Sequence, residues 1–162
     1  KARGKRMRDI KFRAWDKTMN MMIYQDDTEF EFRLTGKGIE VDDLTFVDTA
    51  FNEKHEDIDC EVMQSTGLKD KNGIEIYEGD ILLQKTTEEF KKYNPTVWEK
   101  TWEVVWGYHD IDPSSYPGVA LGFHLKDVKS GMLKTIGDLE QDCLDNCYPY
   151  EVIGNIYETQ NC

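Results

Sequence analysis

Four sets of residues in this 162-residue chain have types and spacings that could do chemistry. Asp70-Lys71-Asn72-Gly73 places side-chain oxygens at alternate positions, as a calcium loop does. An EF-hand loop needs oxygens at positions 1, 3 and 5, glycine at 6 and a bidentate glutamate at 12. Here the glycine arrives two residues early, so the ligand geometry fails and a hairpin turn remains. Cys143 and Cys147, four residues apart, could hold a metal with His109 or His124. Zinc sites usually show paired Cys/His spacings, and no second pair exists in the sequence. Both cysteines share a predicted helix face with Leu139, which suits small buried hydrophobes. On a helix their Cβ atoms would lie about 5–6 Å apart, too far for an unstrained disulfide.

The third set is His55, His109 and His124. Nucleophilic catalysis needs a serine or cysteine beside a base and a group that orients the base. No local signature of that kind, such as G-x-S-x-G, is present. The fourth set is Trp98, Trp102 and Trp106 with Tyr77 and Tyr108, which could stack nucleic-acid bases. Stacking normally works beside a basic groove, so an aromatic core or a subunit interface is the preferred reading. The glycines stand singly in turns and make no phosphate loop. The sequence therefore predicts no catalytic, cofactor-binding or metal-ligating residue, no cofactor and no enzyme.

Charge narrows the partners. The chain carries a formal net charge of -12, unevenly spread. Residues 1–13 hold seven Lys/Arg against one acid, a net of +6, and the remainder carries -18. Such a body repels phosphate backbones and anionic membranes, so nucleic acid and membrane are not expected partners. No apolar run is long enough to span a bilayer, and no signal-peptide core is present. Four cysteines without a secretory signal predict reduced thiols and a cytoplasmic location. Residues 1–6 precede Met7 and are set aside from the fold reading as either a tag or an upstream extension.

The elements that would position these residues are mainly strands. Ile10, Phe12 and Ala14 alternate, the segment from Asp16 to Asn20 turns, and Met21 to Tyr24 returns as a partner strand. Phe30, Phe32 and Leu34 alternate before Thr35-Gly36-Lys37-Gly38 turns into Ile39 and Val41, with Leu44 and Phe46 continuing the pattern. Asn52 to Asp59 is charged and predicts an exposed loop. The segment from Thr66 to Leu83 packs two turns and two apolar runs together, as small closed β-barrels often do. Asn72-Gly73 predicts a type I′ hairpin turn, with positive φ at both residues. Thr86 and Glu89 form a capping box for a short helix ended by Asn94-Pro95, with Glu88 and Lys92 paired on it. The tryptophans recur every four residues, and Thr101, Val104 and Val105 favour a strand there. Gly107 to Gly118 predicts a long loop. Val119 to Leu125 and Met132 to Ile136 are further strands. Asp138 to Cys147 is a second helix, and Glu151 to Tyr157 the last strand.

Three blocks together closely resemble the YopX family of bacteriophage and prophage proteins. They are Ile10-Lys11-Phe12-Arg13-Ala14-Trp15-Asp16, the stretch from Thr66 to Leu83, and Glu151-Val152-Ile153-Gly154-Asn155-Ile156-Tyr157-Glu158. The likeness spans nearly the whole chain. It departs at Ile74, at Leu82-Leu83, in the extended loop from Gly107 to Gly118 and in the tail from Thr159. The resemblance implies a mainly-β protein with an SH3-like barrel in its C-terminal part, a phage or prophage origin and an oligomer. It carries over no catalytic residue.

The expected fold is thus mainly β. Residues 1–59 form an N-terminal β-hairpin and strand lobe, and residues 60–162 an SH3-like barrel domain with one or two short helices. The expected function is a self-associating, non-enzymatic interaction module of the bacterial host cytoplasm, with a host or phage protein as a further partner. The alternatives are a nucleic-acid-binding barrel and an acidic decoy that mimics DNA. Self-association is expected because the alternating N-terminal faces and surplus aromatics exceed what a small barrel and one short helix can cover.

Overall fold

The computed structural model describes residues 10–45, 56–92, 98–110, 119–135 and 149–158. The second helix, His55, Phe46, Cys143, Cys147, Cys162 and the turn at Asn94-Pro95 lie outside them. The described residues are mainly β, with one single-turn helix. The chain divides between Ser65 and Thr66 into two compact units, where the sequence placed a boundary between residues 59 and 60.

The first unit is built from short antiparallel hairpins. β1 (Phe12–Asp16) pairs with β2 (Met21–Tyr24) on one side, and on the other with residues 60–64 of β6 (Cys60–Lys69). Asp16 shapes the β1–β2 turn by accepting the Thr18 and Met19 amides at 2.7 and 2.9 Å. A second sheet holds β3 (Phe30–Thr35), β4 (Gly38–Asp43) and the two-residue β5 (Glu56–Asp57), in that order. Ala14, Ile23 and Val41 form the core, with Phe30, Phe32, Ile58 and Val62 packed against them. Two expectations change here. The alternation of Ile10, Phe12 and Ala14 reads as a half-buried strand, but in β1 the polar residues Arg13 and Asp16 are buried along with Ala14 and Trp15. The charged segment ending at Asp59 is not all loop, since Glu56 and Asp57 pair with Asp43 and Asp42.

The second unit contains β7 (Glu75–Tyr77) beside the last residues of β6, and one five-stranded antiparallel sheet. That sheet has the order β11 (Leu133–Thr135), β10 (Val119–Asp127), β9 (Glu99–Asp110), β8 (Asp80–Lys85), β12 (Tyr150–Asn155). Its core is Ile76, Leu82, Trp102, Val104, Leu125 and Tyr150. β9 runs through Gly107 to Asp110, where a loop was expected, because Gly107 to Asp110 pair in register with Val119 to Gly122.

The hairpin at residues 70–74 differs in kind from the expected one. Asn20 is the only described non-glycine residue with positive φ, so Asn72 cannot sit in a type I′ turn. Instead Gly73 N–H donates to Asp70 C=O at 3.0 Å, and Asp70 N–H donates to Ile74 C=O at 2.8 Å. Lys71 and Asn72 are the central residues of a type I turn, with Asp at its first position and Gly73, at φ 84°, at its last. Asp70 fixes this choice because its carboxylate accepts the Asn72 and Ile74 amides. A Cβ added at Gly73 would meet nothing within 4 Å, so only backbone strain opposes a side chain there. Gly73→Val is expected to cost about 1–3 kcal/mol, read as a lowered denaturant midpoint. An unchanged midpoint would contradict this turn.

The single-turn helix α1 (Glu88–Lys91) is not capped by Thr86 as the sequence suggested. The Thr86 hydroxyl is taken by Trp98, donating to its C=O at 3.3 Å and accepting its N–H at 3.1 Å. Thr87 C=O accepts the Lys91 amide instead, and the ion pair on the helix is Glu88–Lys91 rather than Glu88–Lys92.

Candidate functional site

Strand alternation decides what lines the inner face of the five-stranded sheet. On β9, Trp102, Val104 and Trp106 share one face. The register sets Asp127, Leu125 and Phe123 of β10 opposite them, and Lys134 of β11 opposite Leu125. Leu82 of β8 faces Trp102, and Gln84 faces Lys100. The inner face is therefore apolar in its middle and carries Gln84, Lys100 and Lys134 around one indole.

Trp102 is only 3% exposed, and its Nε1–H donates to Gln84 Oε1 at 3.0 Å. The ammonium groups of Lys100 and Lys134 stand 5.0 and 4.7 Å from its ring centre. Lys134 also lies over the ring of Tyr150 and donates to its hydroxyl. β11 and β12 are the two edges of this sheet. The sheet thus curls until one lysine bridges its two edge strands across the Trp102 indole. Chemically this is a cation–π platform already filled by the chain's own ammonium groups. The face of Trp102 is not open to a base.

The other aromatic candidates separate. Tyr77 is buried, with its hydroxyl on Glu75. Trp106 is 46% exposed and meets Phe123 edge to face at 4.6 Å between centroids. Tyr108 and His109 occupy β9 opposite Leu121 and Ala120. His124 is buried on β10, on the face opposite Leu125. Among the described residues, no group of three His, Cys, Asp or Glu side chains could hold a metal ion.

The polar residues of the central and C-terminal blocks hold backbone. Beyond its own turn, Asp70 accepts the Val152 amide at 3.2 Å, joining residues far apart in sequence. Lys71 N–H donates to Tyr150 C=O, and Lys71 Nζ pairs with Glu151 at 2.6 Å. That pair holds the Glu151 carboxyl below the usual range. Asp80 accepts the Tyr77 amide at 2.8 Å, and Asn155 accepts the Tyr157 and Glu158 amides. Gly79, at φ 77°, packs under Ile156, which a Cβ would meet at 3.4 Å. Asp70, weighed in the sequence as a calcium ligand, uses its oxygens on a turn and a strand, as Asp80 and Asn155 use theirs on backbone amides.

Cys60 is the described cysteine, and it is free. Burial, then the charges of Asp16, Asp59 and Glu61, push its thiol up to about 11. Lys17 bonds Asp59 and Glu61 at 2.9 Å each. Contacts to Glu61 and Asp59 raise the Lys17 ammonium well above its ordinary value and keep it charged, but its charge lowers the thiol by less than burial and the three acids raise it. A thiol held two units above its ordinary value is a poor nucleophile at neutral pH. Its alkylation at pH 8 is expected to run about tenfold slower than that of an unperturbed thiol, since fewer thiolates outweigh their greater nucleophilicity, and to climb until about pH 11. Peptide-resolved mass spectrometry reads this; a rate like that of a free thiol would contradict it.

Missing from the sequence account were Gln84, Lys100 and Lys134, which surround Trp102. Their signal was the same alternation that marks the core, followed through polar positions as well as apolar ones.

Fold and site together define a mainly-β, two-unit protein whose polar motifs serve as scaffold. The family model described as YopX protein matches residues 11–161. The chain belongs to the YopX family. Among solved structures it is similar to protein yopX from Bacillus subtilis, at 18% identity and a TM-score of 0.52, covering 94% of this chain and 95% of that one. It is also similar to protein EF1440 from Enterococcus faecalis, at 27% identity and a TM-score of 0.48, covering 93% and 95%. A search of curated proteins finds no match. No helix among the described residues is long and apolar enough to cross a membrane.

Proposed function

We propose that this protein is a non-enzymatic accessory protein of phage or prophage origin that works by self-association in the host cytoplasm. The observation that carries this reading is the set of large apolar side chains standing in solvent. Leu34 is 83% exposed, Met19 69% and Ile10 61% in the first unit, and Trp106 and Met132 are exposed in the second. Family membership supports the phage origin. The filled platform at Trp102 weighs against base stacking as the mode of action. Sedimentation equilibrium at micromolar concentration is expected to give at least two chains per particle. A mass of 18.9 kDa at every concentration would remove the proposal.

A further inference from the structure

Every open sheet can grow at its edges, and proteins usually block this with short strands, bulges or covering groups. Most edges among the described strands are blocked in those ways. β5 has two residues, and β7 and β11 have three each. β2 has four, and its Tyr24 amide is taken by Asp27 at 2.7 Å. β12 is longer, but its register shifts between Val152 and Gly154, and Asp70 and Lys71 bond its outer side. β3 is the exception. It has six residues, pairs with β4 in unbroken register, and contains neither proline nor lysine.

The hydrogen-bond phase of β3 is fixed. Leu44 N–H donates to Glu29 C=O at 2.8 Å, so odd-numbered residues on this side bond to β4. The amides and carbonyls of Phe30, Phe32 and Leu34 therefore point away from β4, along an edge with which no described strand pairs.

We propose that this edge binds the same edge of a second copy, antiparallel, with the two-fold axis through Phe32. The proposal rests on the self-association reading above and names its surface. The register is set by self-complementarity. With Phe32 opposite Phe32 of the partner, Glu31 falls opposite Arg33 and Phe30 opposite Leu34, each twice by symmetry. Phe32 and the Phe30–Leu34 pairs take the hydrogen-bonded positions that the outward-pointing amides require. Glu31 and Arg33 fall at the non-hydrogen-bonded positions, where Cα atoms approach to about 4.5 Å and side chains interact best. Shifting the register by one residue in each chain puts Glu31 opposite its own copy or Arg33 opposite its own copy, with like charges facing. Leu34, the most exposed apolar side chain described, would gain Phe30 of the partner as cover. The result is a continuous six-stranded sheet across the dimer, a β-augmentation in which the chain is its own ligand.

The test measures light-scattering mass against concentration for wild type, Glu31→Lys and Leu34→Lys. Both positions are exposed, so circular dichroism, and the thermal midpoint at a concentration where wild type is dissociated, are expected to match wild type. Glu31→Lys sets lysine against arginine at both symmetric positions, and dimerisation is expected to weaken about tenfold or more. Leu34→Lys is expected to weaken it as well. In wild type, amide exchange at Phe30, Phe32 and Leu34 is expected to slow as concentration rises, with Glu31, Arg33 and Thr35 unchanged. Should either variant fail to fold, this alternating pattern decides alone. A dimer unaffected by both substitutions, with no concentration dependence at the three amides, would overturn the β3 edge and leave self-association standing. A wild type that stays monomeric throughout would overturn both.

Discussion

Asp70→Ala is expected to destabilise the protein by about 3 kcal/mol, read as a shift in the denaturant midpoint. One carboxylate oxygen accepts the Asn72 and Ile74 amides at 2.8 Å each, and the other accepts the Val152 amide. Alanine leaves three backbone donors without their acceptor and frees the turn from the start of β12. Asp70→Asn is expected to cost less, because its oxygen can keep two amides while its NH2 group faces a third donor. Lys71→Ala breaks only a partly exposed ion pair and is expected to cost a few tenths of a kcal/mol. Equal costs for Asp70→Ala and Lys71→Ala would contradict the scaffold role given to this carboxylate.

Trp102→Ala is expected to cost about 3–5 kcal/mol, since the ring is buried among Leu82, Val104, Leu125 and Tyr150. It also removes the donor that satisfies the buried amide of Gln84 and the surface on which two ammonium groups rest. Trp102→Phe keeps most of the volume and loses the N–H, so a cost of about 2 kcal/mol is expected. Chemical denaturation separates the two. A Trp102→Ala protein as stable as wild type would mean that this sheet is not closed around the indole.

The sheet strands were largely legible because their apolar residues alternate at a period that only strands share. Phe30, Phe32 and Leu34 announced β3, and Thr101, Val104 and Val105 tipped the tryptophan repeat toward β9. The errors arose where a side chain chose between local partners. Asn72-Gly73 signals a type I′ turn when read as a dipeptide. Asp70, two residues earlier, offers the amides a carboxylate and so selects type I with Gly73 at the last position. Thr86 fits a capping box, but Trp98 offers its backbone from across the sheet and wins. The buried polar side of β1 was hidden because alternation describes one covered face, and nothing in Arg13 or Asp16 reveals that the second face is covered too. The candidate chemistry was misleading for a related reason. Asp, Asn and Gly serve turns and metal loops alike, and only geometry tells which.

The most direct test of a contact centred on apolar residues is the salt dependence of association. Each chain carries -12, so two copies repel at long range, and added salt screens that repulsion within about 10 Å at 0.1 M. Light scattering from low to high ionic strength is expected to show a particle of at least two chains whose dissociation constant falls or stays level as salt rises. A particle that separates into 18.9 kDa chains as salt rises would show a contact held by ion pairs and contradict the account.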